Sequence, residues 1–220
     1  MNAQRGQDGL LSPDSVLHRA AERLAHQFAG MVSEETVERV VFESYAALAR
    51  TAAVSTHLPT VAEKFARDRL VALAQSRGLI AKPVPEILYV CIQNSGRSQM
   101  AAAITRHLAG EKVHVRSAGS QPAAELLPGV VTVLEEAGID VTEEFPKPLT
   151  DDVVRAADAV VTMGCGDACP LYPGKRYVDW QLDDPAELDL DGIRAIRDEI
   201  RQHVEQLLTE LTPGLAATRS

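Results

Sequence analysis

Cys91, Arg97 and Ser98 stand at the spacing Cys-x5-Arg-Ser, and together these side chains suggest chemistry on an anion. The thiolate is the nucleophilic form of cysteine, and nearby N–H groups and positive charge stabilise it. Arg97 carries a permanently charged planar fork that can grip two oxygens of a tetrahedral oxyanion. Ser98 is placed either to cap a following helix or to donate its hydroxyl to the Cys91 sulfur. Between them, Gln93, Asn94, Ser95 and Gly96 make a polar turn whose backbone N–H groups are candidates to bind the oxyanion with Arg97. Asn94 tolerates the left-handed region and braces the turn, and Gly96 permits a positive φ. A cysteine that was only buried would need neither the arginine nor the polar turn.

The elements that must hold this loop are a strand before it and a helix after it. Ile87, Leu88, Tyr89 and Val90 form a short apolar run with β-branched and aromatic members, the signature of a buried strand. Ala101, Ala102, Ala103 and Ile104 then open a helix, whose N-terminus carries roughly half a positive charge. Further on, Val113 to Gly119, Asp158 to Met163 and Tyr177 to Trp180 read as three more strands, alternating with helices at about Pro128 to Ala137, after Thr150 and from Asp191 to about Leu211. Such alternation implies a small doubly wound α/β fold with a four-stranded parallel sheet, whose ligands sit beyond the carboxyl ends of the strands. Cys91, residues 164–169 and residues 181–184 are thereby expected to emerge at one edge.

The chain of 220 residues has a formal net charge of −9, which argues against nucleic acid as the main partner. Met1 to Pro85 is nearly balanced at +1, whereas Glu86 to Ser220 carries −10. An acidic half that binds an anion has to concentrate positive potential locally, as loop amides and Arg97 would. No apolar run is long enough for a bilayer, and the first residues lack the apolar core of a signal peptide. A cytoplasmic protein with no membrane partner is expected. The three cysteines, Cys91, Cys165 and Cys169, are too few and odd in number for a disulfide framework. Cys-x3-Cys is unusual for structural zinc, so no metal is expected, and thiol redox or nucleophilic chemistry fits better.

Residues 1–11 read as a loose terminus, residues 12–78 as a three-helix bundle and residues 79–85 as a linker with two prolines, leaving residues 86–220 for the sheet domain. The first helix starts at Ser12-Pro13 with an apolar stripe of Val16, Leu17, Ala20, Leu24, Ala25 and Phe28. The second follows Ser33 and carries Val37, Val40, Val41, Ser44, Leu48 and Ala49. Thr60 to Glu63 fits a capping box for the third, striped by Val61, Phe65, Leu70, Leu73 and Ala74. Glu63 and Asp68 interrupt any basic face, so the bundle reads as a structural arm or a homodimer arm before it reads as a DNA reader.

Cys91-x5-Arg97-Ser98 after an apolar strand resembles the low-molecular-weight protein tyrosine phosphatase family, whose fold the anion-binding arsenate reductases share. The resemblance covers Glu86 to about Leu211. It implies that Asp184, directly before Pro185, is a general acid, with Asp183 structural. Cys165 and Cys169 match the region where thioredoxin-coupled arsenate reductases carry their redox cysteines, and one helical turn would set both thiols on one face. The implied function is reduction of arsenate to arsenite by Cys91, Cys165 and Cys169 in a disulfide relay. Thioredoxin is then the external reductant and partner, and no cofactor is bound. Some members hold a monovalent cation with carboxylates that Ala102 and Lys147 replace here, so no potassium requirement is expected.

Rival readings remain at this point. One is a phosphatase on phosphotyrosine or a small phosphomonoester, disfavoured because Ala186 and Glu187 stand where flanking aromatic residues would follow Asp184-Pro185. Another is a reductase coupled to a low-molecular-weight thiol, which would not need Cys165 and Cys169. A third is a non-catalytic oxyanion sensor.

Overall fold

The computed structural model describes residues 12–52, 57–164 and 169–212. The expected loose terminus and the turn carrying Cys165 lie outside these residues. The chain divides into two compact units, Met1–Ala74 and Gln75–Ser220.

The first unit is helical. α1 (Pro13–Gln27) is capped by the Ser12 hydroxyl, which accepts the Ser15 N–H, and Pro13 occupies the first turn, where no backbone donor is needed. α2 (Glu34–Ala49) repeats the device with Ser33 and Thr36. Leu17, Ala20, Leu24, Val37, Val40, Val41, Ser44 and Leu48 are buried as the stripes require, but Ala49 is exposed at the last position of its helix. α3 runs Leu58–Ser76, so Thr60 lies inside the helix rather than at its cap. Pro59 explains the early start, because its missing N–H and fixed φ suit a first turn. Phe65, Leu70 and Ala74 are buried, whereas Val61 and Leu73 are half-buried; Ala62, Ala66 and Ala72 take the closest packing instead. Buried Arg69 on α3 donates to Ser44 Oγ at 3.1 Å and to Glu43 at 3.1 Å on α2.

The second unit is a parallel sheet with helices around it. β1 (Glu86–Cys91), β2 (His114–Gly119), β3 (Ala159–Met163) and β4 (Arg176–Asp179) lie in the order β2-β1-β3-β4, all pairs parallel. β1 is buried along its whole length, as a central parallel strand covered on both faces must be. α4 (Arg97–Ala109) packs on β1, β2 and α7 (Leu190–Leu211), and its small residues Ala101, Ala102 and Ala103 allow that close approach. α5 (Pro128–Glu136) also lies on α7, whereas α6 (Asp151–Ala156) packs against β1. Ile193, Ile196, Ile200, Val204, Leu207 and Leu208 form the buried stripe of α7. Register puts Cys91 opposite both Gly119 and Met163, so three strands end together. Among the described residues, no helix is long and apolar enough to cross a membrane.

β1 opens on Glu86, a fully buried carboxylate. Arg116 Nε donates to its Oε1 at 2.7 Å, and His114 Nδ1 lies 3.1 Å from Oε2, close enough for an ion pair but without hydrogen-bond alignment. Burial works against the charged form, yet His114 and Arg116 outweigh it and hold the carboxyl below the usual range.

Candidate functional site

The loop after β1 is held from outside by the chain that follows β2. The carbonyl oxygens of Cys91, Ile92, Gln93 and Ser95 accept N–H groups from Ser120, Gln121, Ala123 and Leu127 at 3.2, 2.8, 2.9 and 3.0 Å. In a trans peptide the carbonyl and the next N–H point opposite ways. Turning these four carbonyls outward therefore turns the N–H groups of Ile92, Gln93, Asn94 and Gly96 inward. Asn94 shows the result, with its N–H 3.1 Å from Cys91 Sγ. α4 begins at the inner end of the loop, and its cap residue Gly96 brings no side-chain hydrogen bond. The first-turn amides and the helix dipole thus face the same hollow.

Cys91 is 3% exposed, a value an inert core cysteine would share; its partners separate the two cases. Ser98 Oγ lies 2.9 Å from Sγ. Asn94 Nδ2 donates to that same oxygen at 2.8 Å, so the Ser98 proton is directed to the sulfur. A thiolate can only accept, and here it has two donors in place. Of the two roles considered for Ser98, the sulfur contact is the one observed, and Gly96 takes the cap position.

Asn94 has φ +50°, the left-handed conformation expected of it. Gly96 does not use the positive φ open to it, and has φ −130°. Glycine is needed there for space, because a Cβ would lie 2.7 Å from Pro185 Cγ. That contact seats the turn after β4 directly on the loop. Gln93 is exposed, and its Oε1 accepts from Ser95 Oγ at 3.4 Å; Gln93 therefore offers the hollow its backbone rather than its side chain.

Arg97 is buried, and its guanidinium donates to Leu182 O at 3.2 Å and to Asp184 Oδ2 at 2.9 Å. Asp184 Oδ1 accepts the Ala186 N–H at 3.0 Å, so the carboxylate caps its turn and faces Arg97 at once. Gly164, at φ +74°, packs so that a Cβ would meet Arg97 Nη1 at 3.3 Å. The loop, the root of the segment leading to Cys165, and Asp184 are therefore brought together around one guanidinium. The helical-turn geometry expected of Cys165 and Cys169 lies outside the described residues. Cys169 itself is buried beside the ends of β3 and β4, where it lines a cavity of about 560 Å³ with Thr162, Pro170, Leu171, Tyr177, Val178 and Asp179. The Tyr177 hydroxyl donates to Pro170 O at 3.1 Å and accepts the Tyr172 N–H at 2.8 Å, bracing the turn after Cys169. Burial and then Cys169 push its phenol up.

Family comparison adds to this geometry. The model of the low molecular weight phosphotyrosine protein phosphatases matches residues 86–216, and that of a protein-tyrosine-phosphatase-like N-terminal domain matches residues 17–74. The chain belongs to the low-molecular-weight phosphotyrosine protein phosphatase family. A thioredoxin-dependent arsenate reductase of Corynebacterium glutamicum is 49% identical, with a TM-score of 0.82, over 90% of this chain and 97% of that one. A putative arsenate reductase of Halobacterium salinarum is 35% identical over 57% of this chain and 92% of its own length. The arginine phosphatase YwlE of Geobacillus stearothermophilus is 26% identical, with a TM-score of 0.53, over 62% of this chain and 98% of that one.

Two neighbours of the loop escaped sequence reasoning. A Cβ on Gly119 would sit 2.7 Å from Ile92 O and 2.9 Å from Asn94 N; a glycine ending the strand beside β1 was the available signal. Gln99 is wholly buried and donates to Asn94 Oδ1 at 3.2 Å, which nothing in its spacing announces. Lys147, which the resemblance sets where some members hold a cation with a carboxylate, is mostly enclosed. Its Nζ donates to Glu144 at 2.9 Å and to Phe145 O at 3.1 Å, and its N–H reaches Asn94 Oδ1 at 2.7 Å.

Proposed function

We propose that this family member reduces arsenate to arsenite with Cys91 as nucleophile, a Cys165–Cys169 pair as internal reductant and thioredoxin as the external one. The observation that carries the reading is the sulfur of Cys91, held between the Asn94 N–H and the Ser98 hydroxyl inside a ring of inward amides. Likeness to the C. glutamicum enzyme along nearly its full length supports arsenate and thioredoxin over the alternatives.

In this mechanism the oxyanion enters the hollow and takes the amides and Arg97, whose guanidinium exchanges Asp184 and Leu182 O for substrate oxygens. The Cys91 thiolate bonds to arsenic, and one oxygen leaves as water with a proton from Asp184. The Cys165 thiolate then attacks Cys91 Sγ. A disulfide forms, the S–As electron pair passes to arsenic, and arsenite departs. Attack of Cys169 on Cys165 releases Cys91 as thiolate and leaves a Cys165–Cys169 disulfide, which the thioredoxin dithiol reduces. Two thiols lose the two electrons that arsenic gains.

Arsenate-dependent NADPH consumption with thioredoxin and its reductase tests the reading, together with mass spectrometry of the oxidised protein. Turnover with a Cys165–Cys169 linkage is expected. Robust para-nitrophenyl phosphate hydrolysis by a Cys165→Ser, Cys169→Ser variant, with no arsenate reduction by the parent, would assign the site to a phosphatase. A small-thiol adduct on Cys91 would replace thioredoxin by a low-molecular-weight thiol.

A further inference from the structure

We infer that Gln99 is a positioning residue for Cys91, acting through the Asn94 side chain; the inference rests on Cys91 being the nucleophile proposed above. Gln99 sits in the first turn of α4, 0% exposed. Its Nε2 donates to Asn94 Oδ1 at 3.2 Å and to Phe145 O at 3.0 Å. Both partners are carbonyl oxygens, so only the NH2 end of the amide can face them. The Lys147 N–H is a second donor on Asn94 Oδ1, at 2.7 Å. With two donors on that oxygen, the Asn94 amide has a single satisfied orientation, Nδ2 toward Ser98 Oγ. The Ser98 proton is then left for Cys91 Sγ. A reversed Asn94 would set its oxygen against Ser98, which would turn its proton away from the sulfur. Gln99 thus acts on the thiolate three hydrogen bonds away.

A second observation separates this role from packing. Among the described residues, Gln99 Oε1 is buried with no hydrogen-bond partner. Methionine would fill the same length without an orphaned acceptor, so a purely structural position gains nothing from glutamine. Nor would losing the amide strand its acceptors. Asn94 Oδ1 keeps the Lys147 N–H, and Phe145 O keeps Lys147 Nζ at 3.1 Å. Without Gln99 the Asn94 amide is held by one donor instead of two, so the loss is expected to loosen the direction of the hydrogen-bond chain more than it lowers stability.

The test compares full-length wild type with Gln99→Met and Gln99→Glu. The readout is the rate at which iodoacetamide modifies Cys91 across a range of pH, with the three cysteines distinguished by peptide mass spectrometry; Tm and arsenate kcat and KM are measured alongside. For Gln99→Met, modification at pH 7 falls roughly 3- to 10-fold, as expected for weakening one hydrogen bond to a charged group. Its pH profile moves to higher pH, kcat falls by a similar factor with KM little changed, and Tm stays within about 3 °C. Gln99→Glu conserves size but sets a carboxylate against two oxygens, so its profile moves further. It also serves if the methionine variant does not fold. Profiles superimposable on wild type would overturn the inference. So would a Tm drop beyond about 6 °C with faster modification of all three cysteines, which would leave Gln99 as packing alone. Because alkylation needs no arsenate, a shifted profile in a protein that never reduces arsenate would defeat the proposed function while supporting the role of Gln99.

Discussion

Ser98 and Gly164 act on the two charges the chemistry needs, the thiolate and the guanidinium. The Ser98 hydroxyl lies 2.9 Å from Cys91 Sγ, and a hydrogen bond to a charged group contributes about 1.5–3 kcal/mol. Ser98→Ala is therefore expected to slow Cys91 alkylation and arsenate kcat by roughly 10- to 100-fold. Circular dichroism should show the fold unchanged, and an unaltered alkylation rate would refute the contact's role. Gly164 works differently. At φ +74° with Arg97 Nη1 3.3 Å from where a Cβ would stand, it is strained by any side chain and crowds the guanidinium as well. Gly164→Ala should cost about 1–2 kcal/mol of stability from the left-handed backbone. The displaced Arg97 should also raise the arsenate KM more than it lowers kcat. Denaturant unfolding and steady-state kinetics on one preparation measure both effects.

β1 carries the nucleophile at its carboxyl end and a buried carboxylate at its start, and the second feature makes the strand sensitive to acid. Glu86 titrates below the usual carboxylate range because His114 and Arg116 outweigh the effect of burial. A depressed folded value contributes stability above the ordinary carboxylate range, and that stability is lost as pH falls through the folded value. Glu86→Gln removes the carboxylate facing Arg116 and should cost about 3–5 kcal/mol at pH 7. The deficit against wild type should narrow as pH falls from the ordinary carboxylate range toward the depressed folded value, below which the wild-type carboxyl is itself neutralised. Urea titrations at pH 7 and at successively lower pH check the sign. The strands of the sheet unit and the first two helices of the helical unit were legible from apolar periodicity and from caps such as Ser12 and Ser33, because those signals are local. The start of α3 was not, since the cap pattern at Thr60 competed with Pro59 one residue earlier. Gly96 was read as a turn glycine because sequence does not reveal that Pro185, 89 positions on, presses against it. The same limit hid Gln99 and Gly119, whose roles exist only once the sheet places them beside Asn94.

Every described residue around Cys91 belongs to the unit Gln75–Ser220, and that unit has its own core, in which Tyr89, Met100, Leu134, Met163 and Ile200 are essentially fully buried. A domain of this length can fold alone when its hydrophobic core is continuous. The helical unit has a separate core around Leu24, Phe28, Val41, Phe65 and Leu70. Chemistry at Cys91 should therefore survive removal of residues 1–74. The fragment spanning Gln75–Ser220 is expected to alkylate at Cys91 with the full-length pH profile and to reduce arsenate with kcat within roughly threefold, since no group touching the sulfur is lost. Sedimentation velocity on the same two proteins tests the remaining idea about the arm: pairing through its helices predicts a dimeric full chain and a monomeric fragment. Equal kcat with unequal mass would make the helices an assembly device. A fragment that folds with native near-ultraviolet circular dichroism yet fails to turn over would mean that the helices take part in the reaction itself.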